Sequence, residues 1–319
     1  MKRYTRQMIL PEVGTKGQDH LAQSHVLVVG AGGLGCPVLQ YLTGAGVGTI
    51  TLIDPDVIEE NNLHRQPLYS MDDIGKSKVE AAASRLTACN PEIELHSFIS
   101  TVNSANVADL VRRVDLVIDA ADTFAASYTL SDECRRQRKP LISASALGLT
   151  GYVGGFCGGA PSLRAVFPNP PDNSASCATT GVMGPVVGTL GTLQAQMALA
   201  VLLKQFPSPL GQLTTVNLRD FKFGGFSFLS AKEPDWYAPF IALSEIRPED
   251  AVIELRGTKE VLTPAVRTAQ RISPEQLKKY EFHSKQRIIL CCKTGLRSWK
   301  ATKELNERGY KNIALFADG

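Results

Sequence analysis

Asp54, Asp56, Asn62, Arg65, Gln66 and Lys78 crowd into one short stretch behind a glycine-rich turn, Gly30-Ala31-Gly32-Gly33-Leu34-Gly35. Glycines at 30, 32 and 35 give G-x-G-x-x-G, which lets backbone amides close on a phosphate while the next helix turns its N-terminus toward that charge. Asp54 follows the last glycine by about 20 residues, where a carboxylate reaches ribose hydroxyls. Beyond it, Asn62 and Arg65 can reach phosphate oxygens, Gln66 stands beside them, and Asp56 can hold a metal ion. Lys76 and Lys78 open a helix although cations oppose the positive end of its dipole, an arrangement that a nearby anion would offset. Far downstream, Cys292 heads Cys292-Lys293-Thr294-Gly295-Leu296-Arg297-Ser298 between an apolar strand and a helix. Loop amides, the helix end and Arg297 there favour a thiolate, or a bound anion or persulfide. The chemistry indicated is nucleotide binding early in the chain and sulfur or anion chemistry late.

Those side chains need a frame. Apolar, mostly β-branched runs at 26–29, 49–53, 116–118 and 140–143 predict buried parallel strands, with a further strand at 94–98. Helices are predicted over 36–43, 74–89 (stopped by Asn90-Pro91), 105–112 and 185–204. Residues 148–157 read as a glycine-broken strand pair, and 158–180 as a long loop of the kind that serves function. Composition shifts over 227–240, which reads as a linker. Strands at 251–255, 287–290 and 312–316 then alternate with helices at 274–280 and 296–308. Cys291 belongs to the strand, so its side chain should face away from that of Cys292.

The chain has 319 residues, enough for one large unit and a small one. A net charge of +3 argues against nucleic acid as a partner. No apolar run approaches the roughly 20 residues of a membrane span, and the first residues lack a signal-peptide layout, so neither membrane nor export is expected. Seven cysteines without a close-set framework suit reduced thiols and a cytoplasmic setting.

Taken in order, G-x-G-G-L-G, D-x-D-x-I-E-x-x-N-L-x-R-Q (54–66) and I-G-K-S-K-V-E (74–80) resemble the ThiF/MoeB family, adenylating enzymes related to ubiquitin-activating enzymes. The likeness covers about 3–228. It implies an α/β, Rossmann-like adenylation domain with a mixed sheet over 1–230, binding ATP and magnesium. Gly30, Gly32, Gly33, Gly35, Asp54, Asp56, Asn62, Arg65, Gln66, Lys78 and Asp122 would form its nucleotide site. By resemblance, Lys78 binds phosphate, and Asp122, second in Asp119-Ala120-Ala121-Asp122, holds magnesium at the α-phosphate. Arg6, from Arg3-Tyr4-Thr5-Arg6-Gln7, reaches the triphosphate of a partner subunit in a homodimer. Cys177 carries a thiol able to bond the carrier. Thr123 and Ser127 depart from the family's usual Asn and Arg. The two zinc-binding C-x-x-C pairs are replaced by Ser162 and Ala165, and by Trp236 and Pro239, so no zinc is expected.

The Cys292 loop and the helix after it resemble the rhodanese sulfurtransferases, implying a linker over 231–243 and an abbreviated rhodanese-like α/β domain over 244–319. Four residues between Cys292 and Arg297 suit sulfur better than phosphate. The combined expectation is adenylation of the C-terminal glycine of a ubiquitin-like sulfur-carrier protein ending in Gly-Gly. Sulfur would follow through a Cys292 persulfide loaded by a donor such as a cysteine desulfurase. Rival readings are a conjugation enzyme forming a thioester on Cys177, a tRNA-modifying relative, an NAD oxidoreductase, and a carrier-binding scaffold with a degenerate second domain.

Overall fold

The structure, a computed structural model, describes residues 2–169, 181–283 and 286–318. Its larger sheet comprises β1 (His25–Val29), β2 (Thr49–Ile53), β3 (Glu94–Phe98), β4 (Leu116–Asp119), β5 (Pro140–Leu147), β6 (Thr150–Cys157), β7 (Gln212–Asn217) and β8 (Lys222–Ser227). They lie in the order β3-β2-β1-β4-β5-β6-β7-β8, parallel through β5 and antiparallel beyond it, which is the expected Rossmann-like mixed sheet. Strand order reverses between β1 and β4, and ligands bind open α/β sheets at such a switch, outside the carboxyl ends. Register makes the place definite. Val29 stands opposite both Ile53 and Asp119. The glycine turn, Asp54 and the 119–122 turn therefore leave the sheet side by side.

Around the sheet lie α1 (Thr5–Met8), α2 (Gly14–Gln23), α3 (Gly35–Ala45), α4 (Lys78–Cys89), α5 (Val107–Arg112), α6 (Phe124–Gln137), α7 (Leu163–Val166) and α8 (Gly184–Leu202). Several differ from the sequence reading. Helix α4 begins at Lys78 and not at 74, because Gly75 takes a left-handed turn (φ +82°) that leaves Lys76 outside the helix. The glycine-spaced run 150–157 is a single strand hairpinned onto β5. Side chains at Gly151 and Gly155 would strike Ser145 O at 2.4 Å and Pro209 O at 2.5 Å. Helices α2, α6 and α7 and the β7–β8 hairpin were not anticipated. Helix α8 does have the length and apolar content of a membrane span, contrary to the sequence reading. Half of it is buried in the fold, where Val186, Leu190 and Ala198 pack in the same core cluster as Leu34 and Leu39.

The second sheet runs β10-β9-β11-β12, all parallel, from β9 (Ala251–Glu254), β10 (Gln270–Arg271), β11 (Ile288–Cys292) and β12 (Ile313–Ala317). Two helices accompany it, α9 (Pro274–Leu277) and α10 (Leu296–Glu307). Part of the segment read as a linker is integral to this unit. Ile241 N donates to Leu315 O, Leu315 N donates to Pro239 O, and Ala238, Phe240 and Ala242 are buried. Their period-two burial is that of an edge strand, disguised in the sequence by Pro234 and Pro239. One apolar cluster runs from Leu27, Tyr128 and Phe156 through Phe240 to Cys292 and Trp299, so the two sheets share a core.

Candidate active site

Gly30 ends β1 at φ +99°, and a side chain there would start 2.5 Å from Ala120 O in the turn after β4. At Gly35 it would start 2.0 Å from Gly30 O. These two glycines are required by backbone packing, and they press the two turns of the switch point together. Gly33 faces the start of α8, with Val187 Cγ2 2.8 Å from the place of a side chain. Gly32 has only Gln66 Nε2 at 3.7 Å, so its turn is open to a ligand.

Asp54 is buried, and its carboxylate accepts Ala31 N at 2.7 Å and Asp56 N at 2.8 Å. Burial raises its pKa, while those amides and Lys78 hold it down. One oxygen braces the glycine turn at Ala31 and the other the loop after β2 at Asp56, so the carboxylate joins the two segments at the crevice. Asn62 is likewise turned inward. It is buried, its amide oxygen accepts Glu59 N at 3.3 Å to close its own turn, and its Nδ2 donates to Asn61 Oδ1 at 2.5 Å. Arg65, half-buried, donates to Asn61 O at 2.9 Å beside His64 Nε2. Gln66 is buried with an unpartnered side-chain oxygen.

Lys78 opens α4 beside Asp56. Its side chain is 7% exposed and its ammonium lies 2.7 Å from Asp56, whose side chain is 61% exposed. Lys78 N also donates to Asp56 O. A buried cationic stem thus presents its charge to an open carboxylate at the crevice. Lys76 is 58% exposed and pairs with Asp73.

Asp122 is exposed at the end of the turn after β4, and Thr123 caps α6 by accepting Ala126 N at 3.4 Å. The turn is organised by Asp119, which sequence reasoning did not single out. Asp119 is fully buried, accepts Ser143 Oγ at 2.7 Å and Ala121 N at 3.2 Å, and is pushed up to about 6 by burial. Its signal was a carboxylate closing an apolar strand, Leu116-Val117-Ile118-Asp119.

Arg6 is exposed on α1, at the far end of the domain. Tyr4 beside it packs on Gly46 and accepts Asn90 Nδ2 at 2.8 Å, and Gln7 reaches Ala45 O at 2.8 Å. These are the C-terminal ends of α3 and α4, about 16 Å of helix rise from the glycine turn. The chain does not bring Arg6 to its own nucleotide turn. Cys177 lies outside the described residues.

In the second unit Cys292 ends β11, is 2% exposed and accepts Ser298 N at 3.4 Å. Cys291 faces a separate apolar cluster on the other side of the sheet, and burial pushes its thiol up to about 12. Arg297 does not turn to the thiol as expected. Its fork binds Glu260 at 2.9 and 3.0 Å and Leu255 O at 2.9 Å, a partner 37 residues away that no local pattern announces. A carboxylate outcompetes a thiol for the planar guanidinium fork. At the positions that replace the family's zinc-binding cysteines, Ser162 donates to Glu233 at 2.6 Å and Trp236 Nε1 donates to Lys311 O at 3.0 Å. Among the described residues no three His, Cys, Asp or Glu side chains gather as a metal cluster.

The family model for the ThiF family matches residues 4–237. The adenylyltransferase and sulfurtransferase MOCS3 of Bos taurus is 45% identical over 216 residues, covering 67% of this chain and 48% of that protein. The adenylyltransferase and sulfurtransferase uba4 of Pyricularia oryzae is 42% identical over 230 residues, covering 68% and 47%. The SAMP-activating enzyme E1 of Haloferax volcanii is 38% identical over 225 residues, covering 70% and 83%. The chain spans about half the length of the first two. Among solved structures, E. coli MccB with ATP superposes with a TM-score of 0.62 at 24% identity, covering 73% of this chain and 72% of that one, a likeness of fold. With the glycine turn, the Asp54 brace and the Lys78 pair at a common sheet edge, and a family model spanning most of the sequence, the chain belongs to the ThiF family.

Proposed function

We propose that this protein adenylates the C-terminal carboxylate of a small ubiquitin-like sulfur-carrier protein and then passes sulfur to it through Cys292. The observation that carries the reading is the register of β1, β2 and β4, which sets the glycine turn, Asp54 and the Asp122 turn at one crevice. A carboxylate is a poor electrophile, and joining it to AMP supplies a leaving group. The work of the site is to hold two anions in line and offset their charge. The open turn at Gly32 accommodates phosphate, and Lys78 exchanges Asp56 for phosphate oxygen. Arg6 serves a second chain's nucleotide in a homodimer, which its distance from its own glycine turn supports.

Asp122 is the residue that would hold magnesium; one exposed carboxylate suits an ion that keeps its waters and binds phosphate. Such an ion, when bound, neutralises charge on the triphosphate. In the sulfur step the terminal sulfur of a Cys292 persulfide attacks the acyl carbonyl and AMP leaves. An external thiol then attacks Cys292 Sγ of the resulting acyl disulfide, freeing the thiocarboxylate and leaving a mixed disulfide on Cys292, which a second external thiol reduces to the Cys292 thiol as the two external thiols leave as a disulfide. A persulfide donor such as a cysteine desulfurase would load Cys292. All six described cysteines are free, which supports a reducing, cytoplasmic setting.

The rhodanese-like reading of the second unit rests on its parallel sheet and on Cys292 at the strand–helix junction. A docking module without sulfur chemistry is the second reading, favoured by the burial of Cys292. Mass analysis of the carrier separates them. Asp122→Ala should lose carrier-dependent exchange of labelled pyrophosphate into ATP, whereas Cys292→Ala should exchange but yield no thiocarboxylate. Parental exchange by Asp122→Ala would overturn the adenylation site. Full thiocarboxylate yield from Cys292→Ala would leave the docking module.

A further inference from the structure

Arg164 is a cation at 3% exposure, and its position is unusual. It stands between Ser162 and Ala165, the residues that replace one C-x-x-C pair, and it grips Asp132 of α6 with two hydrogen bonds, 2.6 and 2.8 Å. Its guanidinium carbon lies 4.0 Å from the ring centre of Tyr237, 5.0 Å from Tyr128 and 5.9 Å from Trp299. Tyr128 and Trp299 meet edge to face with centroids 4.5 Å apart. One desolvated cation therefore binds α6 of the nucleotide unit, the connecting segment, and α10 of the sulfur unit. Guanidinium over aromatic faces is strongest when removed from water, as here.

The joint lies next to both reactive turns. Asp122 stands two residues before α6, and Tyr128 is about 6 Å of rise into that helix. Ser298, which gives its amide to Cys292 Sγ, immediately precedes Trp299. Further ties keep the units from swinging apart: Ala242 N donates to Ser104 Oγ at 2.7 Å, and Lys311 lies over Trp236.

We infer that Arg164 and Trp299 are positioning residues for the sulfur step, their joint holding the Cys292 turn beside the Asp122 turn so that an activated carrier is handed on within one chain. This rests on the proposed reading of Cys292. If the parental protein makes no thiocarboxylate, that reading fails; if it does, two measurements decide the inference. In the first, Asp122→Ala and Cys292→Ala chains are mixed under conditions of subunit exchange. Transfer within a chain leaves the mixture below about one-twentieth of the parental thiocarboxylate yield, because no chain carries both groups. Recovery to a quarter or more overturns the inference.

In the second, Trp299→Ala and Arg164→Met should keep pyrophosphate exchange within about twofold while thiocarboxylate turnover falls at least tenfold. Trp299→Phe, which keeps a ring at the joint, should restore it. Equal losses in both activities, or none in turnover, would count against a positioning role. Should the alanine variant not fold, the mixing experiment decides alone, since it leaves the joint intact.

Discussion

Lys78→Met separates charge from packing at the proposed nucleotide site, because methionine keeps most of the buried aliphatic stem and removes only the ammonium. In the folded chain that ammonium pairs with Asp56 at 2.7 Å, but the Asp56 side chain is 61% exposed. Losing the pair returns Asp56 to water and leaves no buried charge behind. The stability cost is therefore that of a partly exposed ion pair, about 1 kcal/mol or less, or a shift of about 2–4 °C in Tm. Catalysis has more to lose. If Lys78 meets the phosphates as charge develops there, its removal should cost about 2.7–4 kcal/mol of barrier, as loss of a preorganised oxyanion donor does, or roughly 10²–10³ in rate. Carrier-dependent pyrophosphate exchange at saturating ATP, with thermal unfolding in parallel, reads both numbers. Asp56→Asn is the companion, breaking the same pair but keeping the cation, so its exchange should exceed that of Lys78→Met at least tenfold. Exchange by Lys78→Met within threefold of the parent would refute the reasoning. So would a fall in Tm beyond about 10 °C, since the lysine would then be part of the framework.

Gly30→Ala forces a side chain to within 2.5 Å of Ala120 O at φ +99°, so it should destabilise by about 2 kcal/mol or more and abolish exchange. Gly32→Ala meets only Gln66 Nε2 at 3.7 Å and should unfold at the parental temperature; equal Tm losses in the two variants would contradict the packing described. Asp119 predicts a pH dependence. Its carboxyl is raised from 3.8 to about 6, so between those values the folded chain keeps a proton that the unfolded chain has released. Stability should fall by about 2–3 kcal/mol as pH rises through that window and stay lower above it. Asp119→Asn should flatten this slope in urea unfolding at pH 4.5 and 7.5, and an unchanged slope would show that another group sets it.

Much of the nucleotide unit is local enough to be legible in the sequence. The strand at Thr49–Ile53, the glycine turn and the closing of α4 at Cys89 depend on side-chain periodicity and on glycine and proline, which act within a few residues. The helix-dipole argument pointed to Lys76 and Lys78 alike, and only the family resemblance chose between them. Tertiary structure decided what each polar group does with its hydrogen bonds. Asp54 and Asn62 stand out by type and spacing, but that the Asp54 oxygens take the Ala31 and Asp56 amides and the Asn62 oxygen takes the Glu59 amide follows from backbone that converges only in the fold. Arg297 found Glu260, Arg164 found three aromatic rings, and residues 238–242 joined a sheet despite Pro239. Helix α6 was overlooked because its polar run carries a weak apolar pattern, while its fold role comes from Tyr128, Leu130 and Cys134 meeting a core shared by both units. Periodicity records which face of an element is apolar. The partner that covers that face, and the distant side chain that satisfies a buried charge, exist only once the chain has closed on itself.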